Sequence, residues 1–191
     1  QDIGANNLEG LLTYTVGTEV SGLGGNFSGA SSDANFTDSI STVRSVQGSN
    51  RVRGLGGADQ TRDYFISSLP MDGYNTERVE VNRGPNSMLF GLGSAGGIIN
   101  TSLVKALPNR TKTKVEGQYG QYESGRIGFD HNQVVLKDRL ALRIATLFGE
   151  KRFRTKPQYV RDERVFATAT WRPWNGATLR ASTEHAKQFS N

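Results

Sequence analysis

Cysteine is absent from all 191 residues, which removes disulfide frameworks and thiolate metal sites together. Histidine is nearly absent too. His131 and His185 stand far apart with no second His or Cys beside either, so neither belongs to a metal pair, and each reads as a polar residue at a strand end. Long apolar runs are missing as well. No stretch approaches the roughly 18 residues that a membrane-spanning helix needs, which excludes helical insertion. The chain also lacks an H-E-x-x-H motif and a serine in a nucleophile-elbow pattern, so hydrolysis has no support and no enzymatic activity is expected.

Charge is plentiful but unclustered. A formal net charge of +5 and a pI near 9.6 suit a phosphate-binding surface in number. The bases nevertheless alternate with acids, as in Arg161-Asp162-Glu163-Arg164, and no nucleic-acid partner is expected. The stretch Gly91-Leu92-Gly93-Ser94-Ala95-Gly96 matches G-x-G-x-x-G. A dinucleotide fingerprint must open a helix, whereas β-branched Ile98 and Ile99 follow here, so the motif reads as a glycine bend and no cofactor is expected. Residues 21–50, rich in Gly, Ser and Asn, read as a polar solvated loop without the spacing of a calcium site.

What the chain does have is order of a β kind. Apolar residues make up 35% and glycine contributes 23 positions, a balance that fits a turn-rich folded chain better than a disordered one. The most informative stretch is 78–100, RVEVNRGPNSMLFGLGSAGGIIN. Val79 and Val81 alternate with polar residues as in a short strand, Arg83-Gly84-Pro85-Asn86 stops it with turn formers, and Ile98-Ile99 restarts a strand after a glycine bend.

This stretch resembles the plug-domain signature of TonB-dependent outer-membrane transporters. Its motif positions are Gly54, Glu80, Gly84, Pro85, Phe90, Gly91, Gly96, Gly97 and Asn100. The likeness continues upstream. Asn50-Arg51-Val52-Arg53-Gly54 is similar to the family's "IRG" strand, residues 63–72 occupy the place of its "VYVDGVPV" segment with Ser67-Ser68 replacing Asp-Gly, and residues 6–20 resemble its first helix and following strand. The resemblance implies a plug over residues 1–106.

Beyond Leu107 the texture changes. Residues 107–111 read as a linker around Pro108-Asn109, and five segments of about ten residues then alternate in polarity between turn formers: 112–122, 124–134, 139–149, 164–172 and 177–185. Val115, Gly117 and Tyr119 share one face of the first, and Ile127 and Phe129 oppose Arg126 and Asp130 in the second. Val165, Ala167, Ala169 and Trp171 share a face of the fourth against Arg164, Phe166, Thr168 and Thr170. Trp171 and Trp174 flank the turn between the last two segments, where a membrane interface accommodates an apolar ring with a polar N–H. Periodicity alone fits a soluble antiparallel sheet with one wet face equally well; the plug signature favours a transmembrane barrel.

The expected architecture is therefore mainly β: an α+β plug over 1–106, a linker over 107–111, and over 112–191 the beginning of an incomplete antiparallel transmembrane barrel. A barrel wide enough to hold a plug has about 22 strands, so a fragment is expected, with a TonB-binding segment upstream and further strands downstream. The resemblance implies that Arg53 and Arg83 lie against the barrel wall and pair with barrel glutamates, locking plug to wall; the alternative is that both are surface charges on edge strands. Asn26 and Asn35 in the polar loop, and Asp59, Gln60 and Arg62 in an apical loop spanning 54–62, are expected to face a ligand.

The implied activity is import. A scarce nutrient such as a ferric siderophore, cobalamin or an oligosaccharide would be bound at the outer membrane of a Gram-negative bacterium, and the inner-membrane TonB complex would supply the energy. The partners would be outer-membrane lipid, TonB and the small nutrient. The alternative from another class is a soluble or surface-attached β-rich binding or adhesion module with Trp171 and Trp174 as its platform.

Overall fold

Asn7 opens the first regular element in the computed structural model of the chain. Its side-chain oxygen accepts from the Gly10 N–H at 2.9 Å and caps helix α1 (Leu8–Thr13), satisfying a donor that the first turn leaves free. The structure describes residues 6–20, 50–53, 58–67, 69, 71–84, 96–152 and 159–190. The chain divides into two compact units, Gln1–Leu103 and Val104–Asn191.

In the first unit, Leu8 and Leu12 lie one helical turn apart and are both buried, packing with Val20, Val52, Ala58, Met71 and Ile99. Side chains four apart share a helix face, so two leucines suffice to seat so short a helix. The Thr18 hydroxyl lies 2.6 Å from Leu12 O and 2.7 Å from Thr15 O, closing carbonyls that the helix end leaves free. Thr18 also begins β1 (Thr18–Val20), which pairs antiparallel with β2 (Asn50–Val52).

A four-stranded sheet completes this unit. Its strands are β3 (Asp59–Arg62), β4 (Phe65–Ile66), β5 (Thr76–Asn82) and β6 (Ile98–Leu103), ordered β4-β3-β6-β5. β6 runs parallel to β3 and antiparallel to β5. Ile98, Ile99, Asn100 and Thr101 are all buried, which marks β6 as a strand covered on both faces. Val79 and Val81 of β5 pack on the core cluster, as their alternation in the sequence implies.

The second unit is a five-stranded antiparallel meander: β7 (Lys112–Tyr119), β8 (Gly125–Leu136), β9 (Leu140–Arg152), β10 (Tyr159–Trp171) and β11 (Leu179–Ser190). All five expected strands are present, but β10 begins at Tyr159 and β11 runs to Ser190. The charged run 161–164 hid this extension: Arg161 pairs with Glu150 on the neighbouring strand, and Asp162 pairs with Arg164 along β10 itself. His131 and His185 lie inside β8 and β11 rather than at their ends. Thr113 Oγ1 stands 2.8 Å from His131 Nδ1.

Register sets two faces across all five strands. Ile127 is opposite Gly117 and Phe148, Ile144 is opposite Ala167, and Trp171 is opposite Leu140 and Leu179. With Val115, Phe129, Leu142 and Val165 these residues form an apolar face, much of it exposed. The opposite face is more polar: beside buried Ala141, Ala145, Leu147 and Phe166 it carries the ion pairs Arg143 with Asp130 at 2.6 Å, Arg164 with Asp162 at 2.5 Å, and Lys114 with Glu116. Among the described residues no helix is long and apolar enough to cross a membrane.

Candidate functional site

Two motif residues of the first unit, Glu80 and Asn100, meet with Thr61, Tyr64 and Arg78. The Asn100 side chain is fully buried, and a buried amide must find partners or carry a desolvation cost. Asn100 Oδ1 accepts from the Tyr64 backbone N–H at 2.8 Å and from the Thr61 hydroxyl at 3.0 Å, while Nδ2 donates to Glu80 Oε2 at 3.4 Å. The Tyr64 hydroxyl donates to the same Glu80 oxygen at 2.8 Å, and Arg78 Nη2 reaches the other oxygen at 2.8 Å. These donors, the Tyr64 hydroxyl foremost, hold the Glu80 carboxyl below its ordinary pKa, and the carboxylate in turn raises that of Tyr64.

The network stabilises an unusual turn. Asp63 and Tyr64, with φ of 46° and 68°, form the two-residue connection between β3 and β4, where both positions are left-handed and glycine or asparagine is usual. No glycine stands there. Instead Asp63 N donates to Thr101 O at 3.0 Å and Asn100 receives Tyr64 N, so β6 itself holds the turn. Ser67 follows β4, and Ser68 lies outside the described residues.

Two glycines of the motif have distinct reasons. Gly97 has φ of 101°, and a Cβ there would stand 2.0 Å from Asn82 O, so no other residue fits beside the end of β5. Gly84 has φ of 84°, and a Cβ there would make an ordinary contact, with Arg53 Nη1 at 3.9 Å. That contact brings Arg53 beside the turn that follows Arg83. Arg53 is exposed and has φ of 55°, and Arg83 is half-buried.

Asp59, Gln60 and Arg62 are not in an apical loop. They form β3, registered against Ile98, Ile99 and Thr101 of β6, and Gln60 is buried. Backbone pairing with β6 explains the difference, since these polar residues lack a strand's usual apolar alternation. Gly96 is buried beside Gly97. Gly54, Pro85, Phe90, Gly91, Asn26 and Asn35 lie outside the described residues.

No protein-family model matches the chain. The probable TonB-dependent receptor BfrD of Bordetella pertussis is 34% identical over 148 residues, which cover 77% of this chain and 18% of that protein. The catecholate siderophore receptor Fiu of Escherichia coli K12 is 31% identical over 164 residues, covering 86% of this chain and 20% of its own length. By sequence the chain is a homologue of the TonB-dependent outer-membrane receptors. It spans about a fifth of the length of the curated relatives it matches.

The receptor fold agrees. A solved structure of FpvA from Pseudomonas aeruginosa, in complex with a heterologous pyoverdine and iron, aligns with a TM-score of 0.78 at 19% identity over 98% of this chain and 24% of that one. Among the described residues no group of three or more His, Cys, Asp or Glu could hold a metal.

In the receptor homologue's second unit, Trp171 closes β10 on the apolar face beside Leu140 and Leu179. Trp174 follows in the turn and is 70% exposed. Arg164 is buried on the opposite face, its Nε 2.8 Å and 2.9 Å from the two Asp162 oxygens, a pairing that a guanidinium inside a sheet requires. Asp63 and Tyr64 escaped sequence reasoning as a site because their partners, Thr101, Asn100 and Glu80, stand on other strands, whereas Asp162 and Arg164 pair only two residues apart. The one local clue was an Asp at 63, a residue type that tolerates left-handed backbone.

Proposed function

We propose that residues 1–106 are the plug, 107–111 the linker and 112–191 the first barrel strands of a receptor that imports a ferric siderophore across the outer membrane of a Gram-negative bacterium. The observation that carries this reading is the extent of the match to BfrD: 148 residues is longer than either compact unit, so the likeness runs through both. Relatives named for siderophores favour that substrate class. The exposed apolar face of the meander suits hydrocarbon, with Trp171 and Trp174 at the interface.

Import of this kind involves no covalent step. Ligand binding biases the plug between arrangements, and the inner-membrane TonB complex supplies the work of opening. In this reading Arg53 and Arg83 lock the plug through carboxylates of the barrel wall, while Asn26 and Asn35, with Asp59, Gln60 and Arg62 of β3, approach the ligand.

The test uses the full-length gene product in a Gram-negative host stripped of its own siderophore receptors. The protein is expected in the outer-membrane fraction, with uptake of radiolabelled iron as ferric catecholate or pyoverdine that disappears when TonB is deleted. Recovery in the soluble fraction, or uptake indifferent to TonB, would overturn the proposal.

A further inference from the structure

We infer that Asn132 and Arg143 are positioning residues that fasten residues 104–111 to the five-stranded sheet, making this segment the stationary end against which the chain upstream is pulled. Its purpose rests on the import reading; its geometry does not.

Residues 104–111 form no strand, so their backbone groups need partners other than a ladder. Asn132, in the middle of β8 and 3% exposed, supplies three. Its Oδ1 accepts from Leu107 N at 2.8 Å, and its Nδ2 donates to Leu107 O at 2.9 Å and to Arg110 O at 2.6 Å. Arg143 of β9 donates from Nη1 to Lys105 O at 3.1 Å while Nε and Nη2 grip Asp130 at 2.7 Å and 2.6 Å.

Main-chain donors of the sheet add two more ties. Asp138 N donates to Pro108 O at 3.0 Å, and Val134 N to Thr111 Oγ1 at 3.3 Å. Val104, Ala106 and Pro108 are buried between these points. Ordinary connecting segments run over the surface with water as partner; this one is bonded at Lys105, Leu107, Pro108, Arg110 and Thr111 in succession. Load arriving along the backbone from Leu103 meets the first tie within two residues. It is then shared with a sheet whose strands are paired along their length.

The full-length receptor, held in a lipid bilayer and pulled singly from an N-terminal handle, tests this directly. In the wild type the length released before the first wall strand leaves is expected to exclude residues 104–111. Asn132→Ala combined with Arg143→Gln should release about 14 Å more, from about four residues (104–107) at roughly 3.5 Å each, before the Asp138–Pro108 tie takes the load. Equal lengths overturn the inference. Hydrogen exchange on the single variant Asn132→Ala is the second measurement: the Leu107 amide should exchange at least about tenfold faster while the amides of β9 stay protected, which shows the sheet intact. Unchanged protection at Leu107 also overturns it. Absence of TonB-dependent uptake in the wild type strikes the import reading alone and leaves both measurements valid.

Discussion

The Tyr64 hydroxyl donates to Glu80 Oε2 at 2.8 Å, joining the tip of the β3–β4 turn to a strand on the far side of β6. Asn100 lies between them and touches both. Two motif positions, Glu80 and Asn100, are thereby explained by a residue that the motif reading did not include.

This contact has a pH signature. Because the Glu80 pKa is lowered in the folded chain, the unfolded chain binds the extra proton first as acid is added. The stabilisation is complete above the ordinary glutamate value of about 4.3 and is lost as pH falls through the lowered folded value. A carbon-13 titration of the Glu80 carboxyl should show a depressed midpoint, and Tyr64→Phe should move it toward the ordinary value more than Arg78→Gln does, since the tyrosine hydroxyl is the largest cause. A midpoint unmoved by Tyr64→Phe contradicts this assignment.

Asn100→Ala should cost about 2–4 kcal/mol, because it strands the Tyr64 N–H and the Thr61 hydroxyl and leaves a cavity in a buried strand. The denaturant midpoint of the first unit's transition measures it. A loss under about 0.5 kcal/mol, the range of ordinary surface substitutions, would mean that water replaces the amide without penalty.

Gly97 and Gly84 should respond unequally to alanine. At Gly97 the new Cβ would overlap Asn82 O, adding steric conflict to the positive φ, for a cost of about 3 kcal/mol or more. At Gly84 the new Cβ meets nothing closer than Arg53 Nη1 at 3.9 Å, and only the left-handed backbone is penalised, by about 1–2 kcal/mol. Comparison of the two variants by urea unfolding tests the distinction, and equal losses would refute the overlap argument.

The two faces of β10 and β11 should separate in a bilayer. Ala167 sits on the apolar face opposite Ile144 and Thr183, and Ala167→Arg in the full receptor should destabilise the folded barrel by about 2–4 kcal/mol, the range for a lipid-facing cation near the midplane. Ser182 is on the polar face and exposed, so Ser182→Arg should change stability by no more than about 0.5 kcal/mol. Gel-shift measurement of folded and unfolded barrel in urea reads both. Equal sensitivity at the two positions would mean that neither face meets lipid.

Much of the strand content was legible because its signal is local. Alternation marked Val79 and Val81 as a strand and separated the faces within each later segment, and the observed packing and registers join Val115, Ile127, Phe129, Val165 and Trp171 into one face. Where alternation failed, so did the reading. Asp59, Gln60 and Arg62 looked like loop residues because strand β3 owes its place to backbone pairing with β6 rather than to apolar side chains. The start of β10 was missed for a related reason. Arg161 and Glu163 look solvent-bound in sequence, yet Arg161 Nη2 reaches Glu150 Oε2 of β9 at 2.8 Å.

The sequence by itself determined the family likeness, the mainly β character, the meander after Leu107 and the division of its strands into apolar and polar faces, since each depends on residue order within about a dozen positions. Only the tertiary structure decided that Asp63-Tyr64 is the turn, that Asn100 holds it across 36 residues, and that Asn132 holds Leu107 across 25. A side-chain amide carries no periodic signal of its own partner. Its hydrogen bonds are fixed by which strands the folded chain sets side by side, and that adjacency exists only after folding.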